Sequence, residues 1–119
     1  MTLSTEFERL ELPLADPFGI SRGTTETAEN VLVRIADDAG HVGVGAAAPT
    51  AYYGETMADA LAALPSLLVA VEDADDPHAQ QRVERRLRER SPDTPAARAA
   101  VSVALADLAA TRQAEPLYR

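Results

Sequence analysis

Two short segments carry the residues best suited to meet a ligand. The first is Pro17-Phe18-Gly19-Ile20-Ser21-Arg22-Gly23-Thr24-Thr25. Apolar Phe18 and Ile20 sit there between glycines, followed by Arg22 among small residues. A guanidinium in such a place can fork onto a carboxylate with two hydrogen bonds. An apolar stretch on a glycine-flanked loop reads as a flap over a bound molecule. It reads equally as a loop that folds Phe18 and Ile20 into the local core and leaves Arg22 in water. The second segment, Ala48 to Gly54, carries Tyr52 and Tyr53.

Other arrangements have plainer readings. Gly43-Val44-Gly45-Ala46-Ala47-Ala48 matches the spacing G-x-G-x-x-A of dinucleotide sites. Those sites need the glycines to open a helix whose N-terminus holds a pyrophosphate. Here Pro49 and a loop follow, so no nucleotide site is expected. Arg82 to Arg90 holds five Arg and two Glu, expected as a solvated helix with Glu84–Arg88 and Arg85–Glu89 pairs. The acidic residues Glu72, Asp73, Asp75 and Asp76 could together bind a cation, but Asp75-Asp76-Pro77 is explained by helix capping. His41 and His78 are expected at the surface. Ser21, Ser66 and Ser102 have no His and acid nearby, so no nucleophilic triad is readable. No catalytic residue and no metal ligand is assigned from the residues themselves.

Composition narrows the chemistry further. The 119 residues carry 19 acidic and 11 basic side chains, for a net charge of -8. Every basic residue is Arg, and Lys, Cys and Trp are absent. No Schiff-base lysine, thiolate nucleophile, disulfide or Cys-ligated metal is therefore possible within these residues. A pI near 4.6 argues against nucleic-acid and anionic-membrane partners. No apolar run is long enough to span a bilayer, and the polar start suggests a cytoplasmic protein without a signal peptide. A high-salt cytoplasm or a GC-rich genome would favour this acidic, Lys-free composition.

The positioning elements divide into a β half and an α half. Alternation predicts strands at about Thr5–Leu12, Ala28–Asp37 and His41–Ala47. Val31, Val33 and Ile35 share one face, and Val42 and Val44 are in phase on the third strand. Asp37-Asp38-Ala39-Gly40 is a tight hairpin turn. Gly43 and Gly45 suggest that another backbone comes close. Thr56-Met57-Ala58-Asp59 resembles a capping box. The helix it opens contains Pro65, so a kink or two short helices are expected. Asp76-Pro77 and Thr94-Pro95 both read as helix starts. The last helix runs to about Gln113 with Ala97, Val101, Ala104, Leu105 and Leu108 on one face. The fold class is thus α+β: a three-stranded antiparallel meander followed by a bundle of three to four helices.

The order of these pieces resembles a known family. Pro13-Leu14, then Pro17-Phe18-x-Ile20-Ser21-Arg22-Gly23-Thr24, then Asn30-Val31-Leu32-Val33-Arg34-Ile35 come first. Gly43 to Thr50, Tyr53-Gly54-Glu55-Thr56, Ala106-Asp107-Leu108 and Pro116-Leu117-Tyr118 follow. Together they are similar to the N-terminal capping domain of the enolase superfamily, in its mandelate racemase/muconate-lactonizing enzyme branch. The closest flavour is the dipeptide epimerases. One departure is Ala46, where the family usually has Glu.

The resemblance implies a two-part isomerase. Its cap packs on a (β/α) barrel that carries the lysine bases and the Mg²⁺ ligands. The reaction is proton abstraction α to a carboxylate. By the same resemblance Arg22 recognises a substrate carboxylate and Phe18 and Ile20 form an apolar lid. Thr24, Tyr52 and Tyr53 are their neighbours. The implied partners are the chain's own C-terminal barrel and a dipeptide or other small carboxylate, with self-association as a homo-oligomer. No cofactor is expected in residues 1–119, and without the barrel no catalysis. Muconate cycloisomerase, o-succinylbenzoate synthase and a free-standing binding module are the alternatives.

Overall fold

The computed structural model describes residues 2–13, 27–49, 55–76 and 78–114. Three strands, β1 (Ser4–Pro13), β2 (Thr27–Ala36) and β3 (Val42–Ala47), form one antiparallel sheet in the order β1-β2-β3. Three helices follow: α1 (Met57–Ala74), α2 (Gln80–Arg90) and α3 (Pro95–Ala114). The expected α+β class and the order of its halves hold.

One face of the sheet is apolar and carries the helices. Val31, Val33 and Ile35 are fully buried, as alternation along β2 requires. Above them lie Leu64, Leu67 and Val71 of α1 and Val101, Leu105 and Leu108 of α3. Each such side chain contributes about 1.5–3 kcal/mol by leaving water. Val83 and Leu87 are the buried anchors of α2, whose other side is almost wholly charged.

On β3 the pattern inverts. Val42 and Val44 are 45% and 41% exposed, and the buried positions are Gly43 and Gly45. The reason is the closeness of α3. A Cβ on Gly43 would run into the Ala104 carbonyl oxygen and the Leu108 nitrogen. One on Gly45 would meet the Ala100 carbonyl oxygen and the Ala104 nitrogen. The small face of α3, Ala97, Ala100 and Ala104, lets the helix sit directly on the strand. The glycines serve helix-on-strand packing here, and a pyrophosphate has no place between them.

Some further expectations are narrowed or corrected. Of the kink or two short helices expected at Pro65, the two-helix alternative is excluded: α1 is one helix with Pro65 inside it. Pro65 lies on the exposed side, where water can take the carbonyl that proline leaves free. α2 begins at Gln80 rather than Pro77, with Ala79 as its N-cap and no side-chain cap. The Asp76 carboxylate instead accepts the His78 N–H at 2.9 Å, closing a turn ahead of the helix. The pairs Glu84–Arg88 and Arg85–Glu89 do not form. Among the described residues these side chains make no ion pair, as is common for long, solvated groups.

Asp75 ends α1 with φ at 54°, a left-handed cap. Its Oδ1 accepts the Leu3 N–H at 2.8 Å, which pins the start of the chain to the end of α1. Among the described residues no helix is long and apolar enough to cross a membrane.

Candidate functional site

The six residues singled out as substrate-facing are Phe18, Ile20, Arg22, Thr24, Tyr52 and Tyr53. All lie outside the described residues. What the structure gives is the set of anchors on either side of those segments.

The 17–25 segment lies between β1 and β2, which pair in continuous register from Ser4↔Ala36 to Pro13↔Thr27. The flanking strand ends, Pro13 and Thr27, are therefore held at the spacing of neighbouring strands, about 5 Å. Across the outer face of this ladder, Arg34 donates to Glu8 at 3.0 Å and to Glu6 at 3.5 Å. These are exposed pairs and add little to stability.

The 50–54 segment is rooted more deeply. β3 precedes it, and Pro49 is fully buried. Glu55 follows it and is only 5% exposed. The Glu55 carboxylate accepts the N–H of Ala96 at 2.7 Å and of Ala97 at 3.2 Å. These are among the first N–H groups of α3, which have no partner inside the helix. A carboxylate there also meets the positive end of the helix dipole. The expected start at Thr94-Pro95 holds: α3 begins at Pro95 and the Thr94 carbonyl accepts the Arg98 N–H at 3.1 Å, while the Thr94 hydroxyl pairs with that of Ser91.

Thr56, next in sequence, caps α1. Its hydroxyl accepts the Asp59 N–H at 3.1 Å, and the Asp59 carboxylate accepts the Thr56 N–H at 3.1 Å. The expected capping box is present, with Asp serving for Glu. Residues 55 and 56 thus tie the end of the loop to the N-termini of two helices.

A second polar cluster lies at the far end of α3. The Asp37 carboxylate has a fully buried side chain and four donors. They are the N–H groups of Ala39 at 2.9 Å and His41 at 2.8 Å, the His41 Nδ1 at 2.8 Å, and Arg112. Burial alone would raise the Asp37 carboxyl. The His41 backbone and ring, Arg112 and the Ala39 backbone outweigh it and hold it well below the usual carboxylate range. His41 is therefore partly buried and engaged, against the expectation of a free surface histidine. His78 is exposed as expected, with its Nε2 at 3.5 Å from the Arg112 Nε. Every group on Asp37 is a fixed donor, so the cluster reads as a clamp between the β2–β3 turn and the end of α3.

Sequence reasoning missed Glu55 and Asp37. Glu55 reaches Ala96, 41 residues on, and Asp37 reaches Arg112, 75 residues on, beyond its local partners Ala39 and His41, so no local spacing reveals these long contacts. The available signal was an acidic residue next to a turn or cap with no basic neighbour.

A one-sided three-stranded meander backed by three helices, with its loops rooted at strand and helix ends, has the architecture of an enolase-superfamily N-terminal domain. The comparisons agree. The family model for "Mandelate racemase / muconate lactonizing enzyme, N-terminal domain" matches residues 4–119, and the chain belongs to that family. The chain is 38% identical to an L-Lys-D/L-Arg epimerase of Methylococcus capsulatus, over 88% of this chain and 30% of that protein. It is 35% identical to an L-Lys-D/L-Arg epimerase of Desulforapulum autotrophicum, over 90% of this chain and 30% of that protein. A solved Methylococcus capsulatus dipeptide epimerase, complexed with Mg and L-Arg-D-Lys, superposes with a TM-score of 0.78 at 34% identity. That match covers 95% of this chain and 32% of the other. The chain thus spans about a third of the length of these relatives.

Magnesium needs near-octahedral oxygen coordination, with carboxylates among the ligands. Among the described residues no group of three or more His, Asp or Glu could hold a metal ion. The residues described do not fit that metal.

Proposed function

We propose that this chain is the substrate-capping, specificity-setting domain of a Mg²⁺-dependent dipeptide epimerase. The 17–25 and 48–54 segments close over the dipeptide. Arg22 forks onto a substrate carboxylate, Phe18 and Ile20 form an apolar wall, and Thr24, Tyr52 and Tyr53 line the remainder. Proton removal α to the carboxylate belongs to a barrel beyond these residues.

The observation that carries this reading is the similarity to dipeptide epimerases along nearly the whole chain. The described anatomy supports it: both segments leave from and return to rigid elements, as loops that must meet a substrate do. The test is to isolate the native protein from its cells and incubate it with a dipeptide set in D₂O. The account expects a subunit mass about threefold that of the cap, as cap plus barrel requires. It also expects deuterium at the α-carbon of selected dipeptides, lost on chelation of Mg²⁺. A native mass of 12.6 kDa would contradict it and favour a free-standing binding module.

A further inference from the structure

One stripe of α2 is symmetric in its spacing. Gln81, Glu84, Arg85 and Arg88 lie along one outward groove, at steps of three, one and three residues. That spacing puts them on a single helix face, away from the buried anchors Val83 and Leu87. Among the described residues, none of the four side chains has a hydrogen bond or an ion pair. Arg88 is one turn from Glu84, and still the two do not pair.

Beside Glu84 the surface changes character. Glu84 also borders a second groove, lined on α3 by Pro95, Arg98, Ala99, Ser102 and Val103. Val103 is 51% exposed there. The charged stripe and this partly apolar wall are therefore continuous through one residue.

We propose that this face is where two copies of the chain meet. The spacing of the stripe reads the same in both directions. Two α2 helices running antiparallel about a two-fold axis therefore bring Glu84 opposite Arg85 of the second copy, and Arg85 opposite its Glu84. Gln81 and Arg88 meet in the same reciprocal way. A closed two-fold interface uses one patch on both subunits, which is what a self-complementary stripe supplies. Other partners fit less well. A uniformly acidic surface would meet Glu84, and a uniformly basic one would meet Arg85 and Arg88. The net charge of -8 repels a second copy at long range, so contact needs local attraction of this kind. Exposed ion pairs add little energy. Here they set the register, and covering Pro95, Ala99 and Val103 beside them supplies the rest. The contact is weak, because one helix face and its flanking groove stand at the small end of protein interfaces. The proposal is independent of what the 17–25 and 50–54 segments bind.

Charge exchange tests it. Sedimentation equilibrium of the 119-residue chain, from micromolar to millimolar concentration, is expected to show monomers in equilibrium with dimers. Arg85→Glu and Glu84→Arg each place like charges in both reciprocal contacts, and each should weaken association about tenfold or more. The two variants move the net charge in opposite directions, so a response to overall charge would weaken one and strengthen the other. The double variant restores the pair with its signs exchanged, and association should return to within about threefold of wild type. Both side chains lie outside the core, and far-UV circular dichroism checks that every variant keeps its fold. A wild-type chain that stays monomeric, opposite responses of the single variants, or a double variant as weak as either single one would overturn the proposal.

Discussion

Arg112, on the last turn of α3, donates to the buried carboxylate of Asp37, at the start of the β2–β3 turn. The contact joins residues 75 positions apart. It fixes the direction of the final helix relative to the sheet. Around it the N–H groups of Ala39 and His41 and the His41 ring complete the acceptor capacity of Asp37.

Asp37→Asn should be costly, because it leaves Arg112 and several turn donors without a charged acceptor. A loss of about 2–3 kcal/mol in urea unfolding is expected, less than for a fully buried pair because Arg112 is partly solvated. The pH dependence has a definite sign. The folded-state pKa of Asp37 is depressed, so the unfolded chain takes up the proton first. The stabilisation is complete above the ordinary carboxylate value of about 3.9 and declines as pH falls below it. Wild type should lose stability more steeply than Asp37→Asn below that pH. Parallel curves for the two proteins would contradict this account of the clamp.

Glycine substitutions should separate packing from backbone strain. Gly43→Ala and Gly45→Ala each drive a methyl group into the backbone of α3, which cannot yield as a side-chain tip would. A loss of about 3 kcal/mol or more, or failure to fold, is expected. Gly40 has φ at 94° with nothing within 4 Å of an added Cβ, so Gly40→Ala pays backbone strain alone. About 1–2 kcal/mol is expected there. Thermal unfolding should rank Gly43→Ala and Gly45→Ala well below Gly40→Ala; the reverse order would refute the helix-on-strand contact.

The capping box at the start of α1 should behave locally. Thr56→Ala removes the acceptor for the Asp59 N–H and should cost about 1 kcal/mol. Its effect and that of Asp37→Asn should add in the double variant, since the two sites share no partner. A coupling above about 0.5 kcal/mol would show that they communicate.

Much of this fold is legible in the sequence because its signals are local. Alternation of Val31, Val33 and Ile35 marks the core strand, and Thr56 with Asp59 marks a helix start. The pairing of Gly43 with Gly45 announces a close backbone, although not that Val42 and Val44 would face outward as a result. Other features depend on distant partners. Nothing near Glu55 foretells that it caps a helix 41 residues later. Asp76-Pro77 carries a good start signal, yet the Asp76 carboxylate closes a turn at His78 and the helix waits until Gln80. The candidate site residues come from family likeness and loop composition. The structure contributes the anchors that hold those loops, and not the loop side chains themselves.

Arg22 carries the sharpest functional prediction. In a fusion with a catalytic barrel, Arg22→Ala should raise KM for acidic dipeptides more than for neutral ones. An equal rise for both would remove its role in binding a carboxylate.

The central claim is that this chain sets substrate choice in a dipeptide epimerase. The most direct measurement replaces the N-terminal domain of the Methylococcus capsulatus L-Lys-D/L-Arg epimerase with this chain. Dipeptide selectivity is then read as relative kcat/KM for α-deuterium incorporation in D₂O. The account predicts an active fusion whose order of preferred dipeptides differs from that of the parent enzyme. A folded, active fusion with the parent's order unchanged would contradict it.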